Sequence, residues 1–187
     1  ASIFMDVSKA LAKSAAVRHP DDDVGTWMTT VNREISRDNT EALFVTAFAG
    51  ILDLDSGDLV YCNAGHDAPY CVGAASGLRR LVAGDGPPLC TVDDFEYRGE
   101  HTFLDPGELV VLVTDGVTDM RDPTGAMYGR ARMEAVLEGR RSEAGSARAA
   151  VDALRGDVQA FAAGAEPADD LTVLAIRWNG KNPQSWP

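Results

Sequence analysis

Two pairs of residues sit where carboxylates could act together. Asp115-Gly116 ends the apolar run Leu109 to Thr114, and a further acid, Asp119, follows four residues on. Asp169-Asp170 stands directly before a second apolar run, Leu171 to Ile176. Both runs read as strands from their aliphatic and β-branched content. If the two are antiparallel neighbours, the end of the first lies beside the start of the second. Asp115 and either Asp169 or Asp170 would then share one edge of a sheet. Carboxylates held side by side repel unless a cation lies between them, and hard oxygen donors suit magnesium or manganese. A plainer reading stays open for each acid. Asp-Gly after a strand is ordinary turn chemistry, and Asp-Asp before a strand is an ordinary loop.

A third stretch, Asn63-Ala64-Gly65-His66-Asp67, closes a strand with small residues and then a histidine. Glycine lets backbone approach a ligand closely. His66 could bind metal, shuttle a proton or hold phosphate, and it could equally be a hydrogen-bonded loop residue. His19 and His101 have no partner motif and read as surface or packing residues. No G-x-S-x-G, Walker-type loop or Cys–His pairing is visible. If the chain is an enzyme, a metal-activated water is the nucleophile its residues favour.

The elements that must position these residues follow from periodicity. Residues 2 to 17 read as an amphipathic helix. Pro20 and Asp21-Asp22-Asp23 lead into a second helix, with acids suited to its first turn. Val24, Trp27, Met28, Val31 and Ile35 form its apolar stripe, and it ends near Asp38-Asn39. Leu43 to Leu54 and Leu59 to Asn63 flank Asp55-Ser56-Gly57-Asp58, a hairpin signature. Tyr70 to Val72 and Leu78 to Val82 suggest a second hairpin, and residues 84–88 a loop. Phe95 to Leu104 reads as a strand that Asp105-Pro106-Gly107-Glu108 turns into the strand ending at Thr114. Residues 129 to 140 and 145 to 163 are helical by pattern, and Leu171 to Ile176 is the last strand. Helices segregated from an antiparallel meander define an α+β fold.

The 187 residues are enough for one domain with a hydrophobic core. Apolar residues make up 45% and charged residues 25%, the mix of a globular protein. A net charge of −12 leaves no basic patch for nucleic acid or anionic membranes. Cys62, Cys71 and Cys90 show no CxxC pairing and read as reduced, partly buried thiols of a cytosolic protein. No apolar run reaches membrane-spanning length. The chain starts with Ala1, and Ile3, Phe4, Val7 and Leu11 already fall at helical spacing, so the sequence reads as a piece of a longer protein.

FVTAFAGILDLDSGDLVYCNAGHDAPY, GPPL, LDPGELVVLVTDGVTD, YGRARMEAVL and DDLTVLAIRW occur in this order. Together they resemble the bacterial serine phosphatases of the protein phosphatase 2C superfamily, of the sporulation-stage-II-E and stress-sigma-regulator type. The resemblance runs from about residue 3 to 178. It implies a four-layer α/β/β/α sandwich of antiparallel sheets. It implies two manganese or magnesium ions and attack of metal-bound water on phosphoserine or phosphothreonine, without a covalent phosphoenzyme.

Carried over by motif, Asp115 of TDG and Asp169 of DDLT match metal ligands. Gly116, Asp119 and Asp170 fall at supporting positions beside them. Gly65-His66 falls near a weaker third metal position and gives His66 a catalytic or phosphate-holding role. Asp67 departs from the Asn common in the bacterial branch, and Asp119 stands where Glu is usual. The resemblance also implies acidic motifs upstream of the first helix, including an Asp that bridges both metals. Residues 1 to 16 match the helix after those motifs, and Asp6 lies inside its pattern.

The expectation is therefore a single phosphatase-like domain over 1–178, incomplete at its N-terminus, with a polar tail over 179–187. Metal should be weak or absent in this chain alone, and activity low. The implied partners are a phosphoserine protein, typically an anti-sigma factor antagonist, and an upstream sensory or receiver domain. No nucleic acid or membrane is expected as a partner. An unpaired sheet edge would favour a homodimer. A second reading is a non-catalytic pseudophosphatase that docks a partner in the same pathway.

Overall fold

A computed structural model describes residues 2–18, 23–37, 39–81, 86–141, 146–167 and 169–181. His19, Pro20, Asp21, Asp22, Asp38, the first part of the 84–88 loop and the tail from 182 onward lie outside the described residues. The chain forms two compact units. Ala1–Asp53, Asp58–His66 and Val82–Thr102 make the first, and Leu54–Gly57, Asp67–Leu81 and Phe103–Pro187 the second. Each has helices and belongs to an α+β chain with two antiparallel sheets, as expected.

In the first unit, α1 (Ser2–Arg18) and α2 (Val24–Ser36) accompany a three-stranded sheet. Its strand order is β1 (Ala47–Leu52), β2 (Asp58–Ala64) and β5 (Glu100–Phe103). The β1–β2 hairpin pairs Ala47 with Ala64 through to Leu52 with Leu59. Helix α2 buries Val24, Met28, Val31 and Ile35 in the unit's core. Asp23 stands just before the first turn and caps it, accepting from Gly25 N and Thr26 N at 2.9 and 3.1 Å.

The expected strand Phe95 to Leu104 shrinks to four residues. Helix α2 engages this segment at Tyr97 and the chain just before it. Buried Asn32 donates to the carbonyls of Val92 and Asp93, both at 2.9 Å, and accepts from Cys90 N at 2.8 Å. Thr29 Oγ1 accepts from Tyr97 N at 3.0 Å. Side chains of a helix thus engage backbone groups that a ladder would otherwise use.

The second unit holds a four-stranded antiparallel sheet in the order β4-β3-β6-β7. These strands are β3 (Tyr70–Gly73), β4 (Gly77–Arg80), β6 (Leu109–Val113) and β7 (Val173–Arg177). Helices α3 (Asp115–Thr118), α4 (Arg130–Glu138) and α5 (Ala147–Ala162) complete it. Tyr70, Val72, Val111, Val113, Met133, Leu137, Leu154 and Val158 form its core. The Asp105–Glu108 turn is present, with Glu108 N donating to Asp105 O at 2.8 Å. It does not close a hairpin, because β5 pairs in one sheet and β6 in the other. Glu108 is only 1% exposed. Its carboxylate accepts from Ser76 Oγ, Arg79 Nε and Asp105 N at 3.0, 3.2 and 2.8 Å, which offsets the cost of burying it.

Candidate metal centre

The site is built from the ends of β6 and β7. These strands are antiparallel neighbours, paired from Leu109–Arg177 to Val113–Val173. One residue past the ladder, Thr114 N donates to Thr172 O at 3.1 Å. Thr114 Oγ1 donates to Asp170 O at 3.1 Å and accepts from Thr172 N at 3.0 Å. The segments carrying Asp115 and Asp169-Asp170 therefore meet at one end of the sheet.

Asp115 does not lie in a turn, as the plainer reading of Asp-Gly would have it. It begins the one-turn helix α3, whose Val117 is fully buried. Its carbonyl accepts from Asp119 N at 2.8 Å and Thr118 Oγ1 at 3.2 Å. Gly116 has an ordinary φ, so turn geometry does not explain it. A Cβ there would stand 2.4 Å from Asp170 O and 3.0 Å from Asp170 C. Only glycine lets the two backbones come this close.

Asp115, Asp119, Asp169 and Asp170 are all exposed. Asp169 Oδ1 accepts from Asp170 N at 2.7 Å, and Asp119 Oδ1 lies 3.4 Å from Thr118 Oγ1. Among the described residues, no donor reaches the carboxylates of Asp115 or Asp170. Elsewhere in the unit an acid such as Asp157 is held by an arginine. Among the described residues, no three His, Cys, Asp or Glu side chains converge closely enough to hold a metal. The donor chemistry fits a hard divalent ion, since these are carboxylate oxygens open to solvent on two segments fixed side by side.

His66 belongs to the first unit, on the loop that closes β2. Asn63 and His66 exchange two hydrogen bonds, each 2.8 Å, which fix the loop backbone. Gly65 has φ +71°, and a Cβ there would lie 2.7 Å from Pro88. The β6–β7 register that joins the acids does not include His66. Asp67, in the second unit, lies 3.9 Å from Arg130. His101 is exposed, with Nδ1 3.4 Å from Asp58 Oδ1. The cysteines are free thiols, Cys62 and Cys71 buried and Cys90 half-buried. The sequence reading passes over Thr114. Its one visible signal is a hydroxyl residue at the strand end, directly before the acid.

The α+β fold with two antiparallel sheets is like that of the SiaA-PP2C domain of Pseudomonas aeruginosa, with a TM-score of 0.75 at 19% identity over 94% of this chain and 69% of that one. The chain belongs to the family described as stage II sporulation protein E, whose model matches residues 1–179. It is 30% identical over 138 residues to Protein IcfG of Synechocystis sp., covering 74% of this chain and 21% of that protein. It is 24% identical over 98 residues to the phosphoserine phosphatase RsbU of Bacillus subtilis, covering 52% of this chain and 29% of that one. The chain thus spans less than a third of either curated relative. The phosphatase domain of the cell fate determinant SpoIIE from Bacillus subtilis, presoaked in manganese, superposes with a TM-score of 0.62. At 16% identity, over 98% of this chain and 77% of that one, this is a likeness of fold. Among the described residues, no helix is long and apolar enough to cross a membrane.

Proposed function

We propose that this chain forms the greater part of a divalent-metal-dependent phosphatase domain, spanning 1–178. In the longer protein it hydrolyses phosphoserine on a regulatory protein, an anti-sigma factor antagonist as the family resemblance implies. The observation that carries this reading is the β6–β7 register, which sets the Asp115 and Asp169-Asp170 segments side by side in a member of this family. Asp115 and Asp169 are assigned as the residues that hold manganese or magnesium. When bound, such an ion supplies an acidified water and offsets charge on the phosphoryl oxygens.

The chain's own residues bind and orient. Asp115 is held by α3, and Val117 anchors α3 in the core. Gly116 lets the Asp170 backbone approach, and Asp119 and Asp170 add negative charge nearby. His66 is assigned to the substrate phosphate or a weaker third ion. Two ligating acids bind a hard cation weakly, so this chain alone is expected to hold metal at roughly millimolar strength or not at all, and to turn over little or nothing.

An upstream sensory or receiver domain, a cytoplasmic setting and no contact with nucleic acid or membrane complete the proposal. Self-association is part of it. Among the described residues, β7 pairs only with β6, and its Leu174 and Ile176 are 50% and 46% exposed. Such an edge recruits a further strand.

The test is release of phosphate from a phosphoserine protein by the longer protein that contains this chain. Activity should vanish with a chelator and return with manganese. Activity that survives chelation contradicts the metal reading. Metal-restored protein that is inactive on every phosphoprotein offered favours the pseudophosphatase reading instead.

A further inference from the structure

Thr114 occupies the N-cap position of α3, with φ −89° and ψ 161°. Threonine there ordinarily accepts a hydrogen bond from an amide of the first helical turn. Here it makes no side-chain cap. Its hydroxyl turns across the sheet instead, donating to Asp170 O at 3.1 Å and accepting from Thr172 N at 3.0 Å. A hydroxyl can do both at once. Together with the Thr114 N to Thr172 O bond at 3.1 Å, three hydrogen bonds join the two acid-bearing segments at this one residue. They lie one residue from Asp115 on one side, and one and three residues from Asp169 on the other.

We infer that Thr114 is a positioning residue, whose hydroxyl sets the separation of the Asp115 segment from the Asp169-Asp170 segment for cation binding. The inference rests on the metal reading given above. A hydrogen bond that only extended the ladder would be replaceable at no cost to metal affinity. A hydroxyl that fixes the spacing of donors would not be, because residues that orient metal ligands typically change affinity by about ten- to a hundredfold.

The test is a titration of the nitrogen-15-labelled chain with manganese alone, read as paramagnetic broadening of the Gly116 and Asp170 amide signals. This detects weak as well as tight binding and needs no turnover. Thr114→Val keeps the shape and removes both side-chain hydrogen bonds. It should weaken the apparent affinity by about ten- to a hundredfold. Thr114→Ser keeps the hydroxyl and should titrate like the wild type, and this arm decides even if the valine variant does not fold. Wild-type affinity in Thr114→Val, or weakened affinity in Thr114→Ser, overturns the inference. Asp115→Asn separates the two levels. If it weakens broadening and Thr114→Val does not, Thr114 alone is misassigned. If the wild type shows no broadening at either amide, this chain alone holds no ion and the role of Thr114 falls; if Asp115→Asn leaves the broadening unchanged, the metal reading falls with it.

Discussion

A Cβ on Gly116 would stand 2.4 Å from the carbonyl oxygen of Asp170. The obstacle is backbone, held in turn by the Thr114 hydroxyl, so it cannot swing aside as a side chain would. Gly116→Ala must push the two segments apart. We expect a loss of about 1–3 kcal/mol, the usual cost of overpacking. Thermal unfolding measures it. An unchanged melting temperature would mean that the close approach is not as described.

Asn32 is fully buried and ties Cys90, Val92 and Asp93 to α2. Asn32→Leu keeps much of the volume and removes three hydrogen bonds to part-buried backbone groups. Stability should fall by about 1–2 kcal/mol, since these groups are only partly shielded from water. Urea denaturation gives the value, and amide exchange at Cys90 should speed up. A variant as stable as the wild type would show that water replaces the asparagine without penalty.

Asp157 joins α5 to α4 through Arg132, with Nε–Oδ2 at 2.8 Å and Nη2–Oδ1 at 3.1 Å, and Tyr128 Oη donates to Oδ2 at 2.7 Å. The Arg132 hydrogen bond, opposed by partial burial and helped by Tyr128, holds its carboxyl below the usual range. The folded value lies below the unfolded one. The stabilisation is therefore present above the unfolded value, near pH 4, and lost as pH falls through the folded one. Asp157→Asn should cost about 1 kcal/mol at neutral pH for a pair this exposed. The gap from wild type should close in acid. A gap that persists at pH 2 would assign the effect to packing.

Burial pushes the thiol of Cys62 up to about 11 and that of Cys71 up to about 12. Thiolate is the reacting form. At pH 8 a disulfide reagent should leave both unmodified until the protein unfolds, with half-buried Cys90 reacting first. Prompt labelling of Cys71 in the native protein would contradict its burial.

The β6–β7 pair was legible because each run is apolar throughout and the acids sit at the ends that antiparallel pairing brings together. Helix α2 was legible from Val24, Met28, Val31 and Ile35. Other features were not, for a shared reason. Phe95 to Gly99 has strand composition, but Thr29 and Asn32 engage its surroundings from a distant helix. The Asp105–Glu108 turn is written in local chemistry, while the choice of sheet on either side of it is not. Glu108 carries no local mark of burial, since Arg79 and Ser76 come from another hairpin. Thr114 showed only a hydroxyl at the strand end, because the direction in which that hydroxyl turns is not written locally.

The proposed function turns on Asp115 holding a cation needed for phosphate release. The most direct measurement is manganese-dependent release of phosphate from a phosphoserine protein by the longer protein, wild type against Asp115→Asn. The substitution keeps the shape and removes the charge. Turnover should fall by a factor on the order of hundreds, as for loss of one major electrostatic stabiliser. Asp169→Asn should fall alike, and His66→Ala by less. Wild-type turnover in Asp115→Asn would contradict the account.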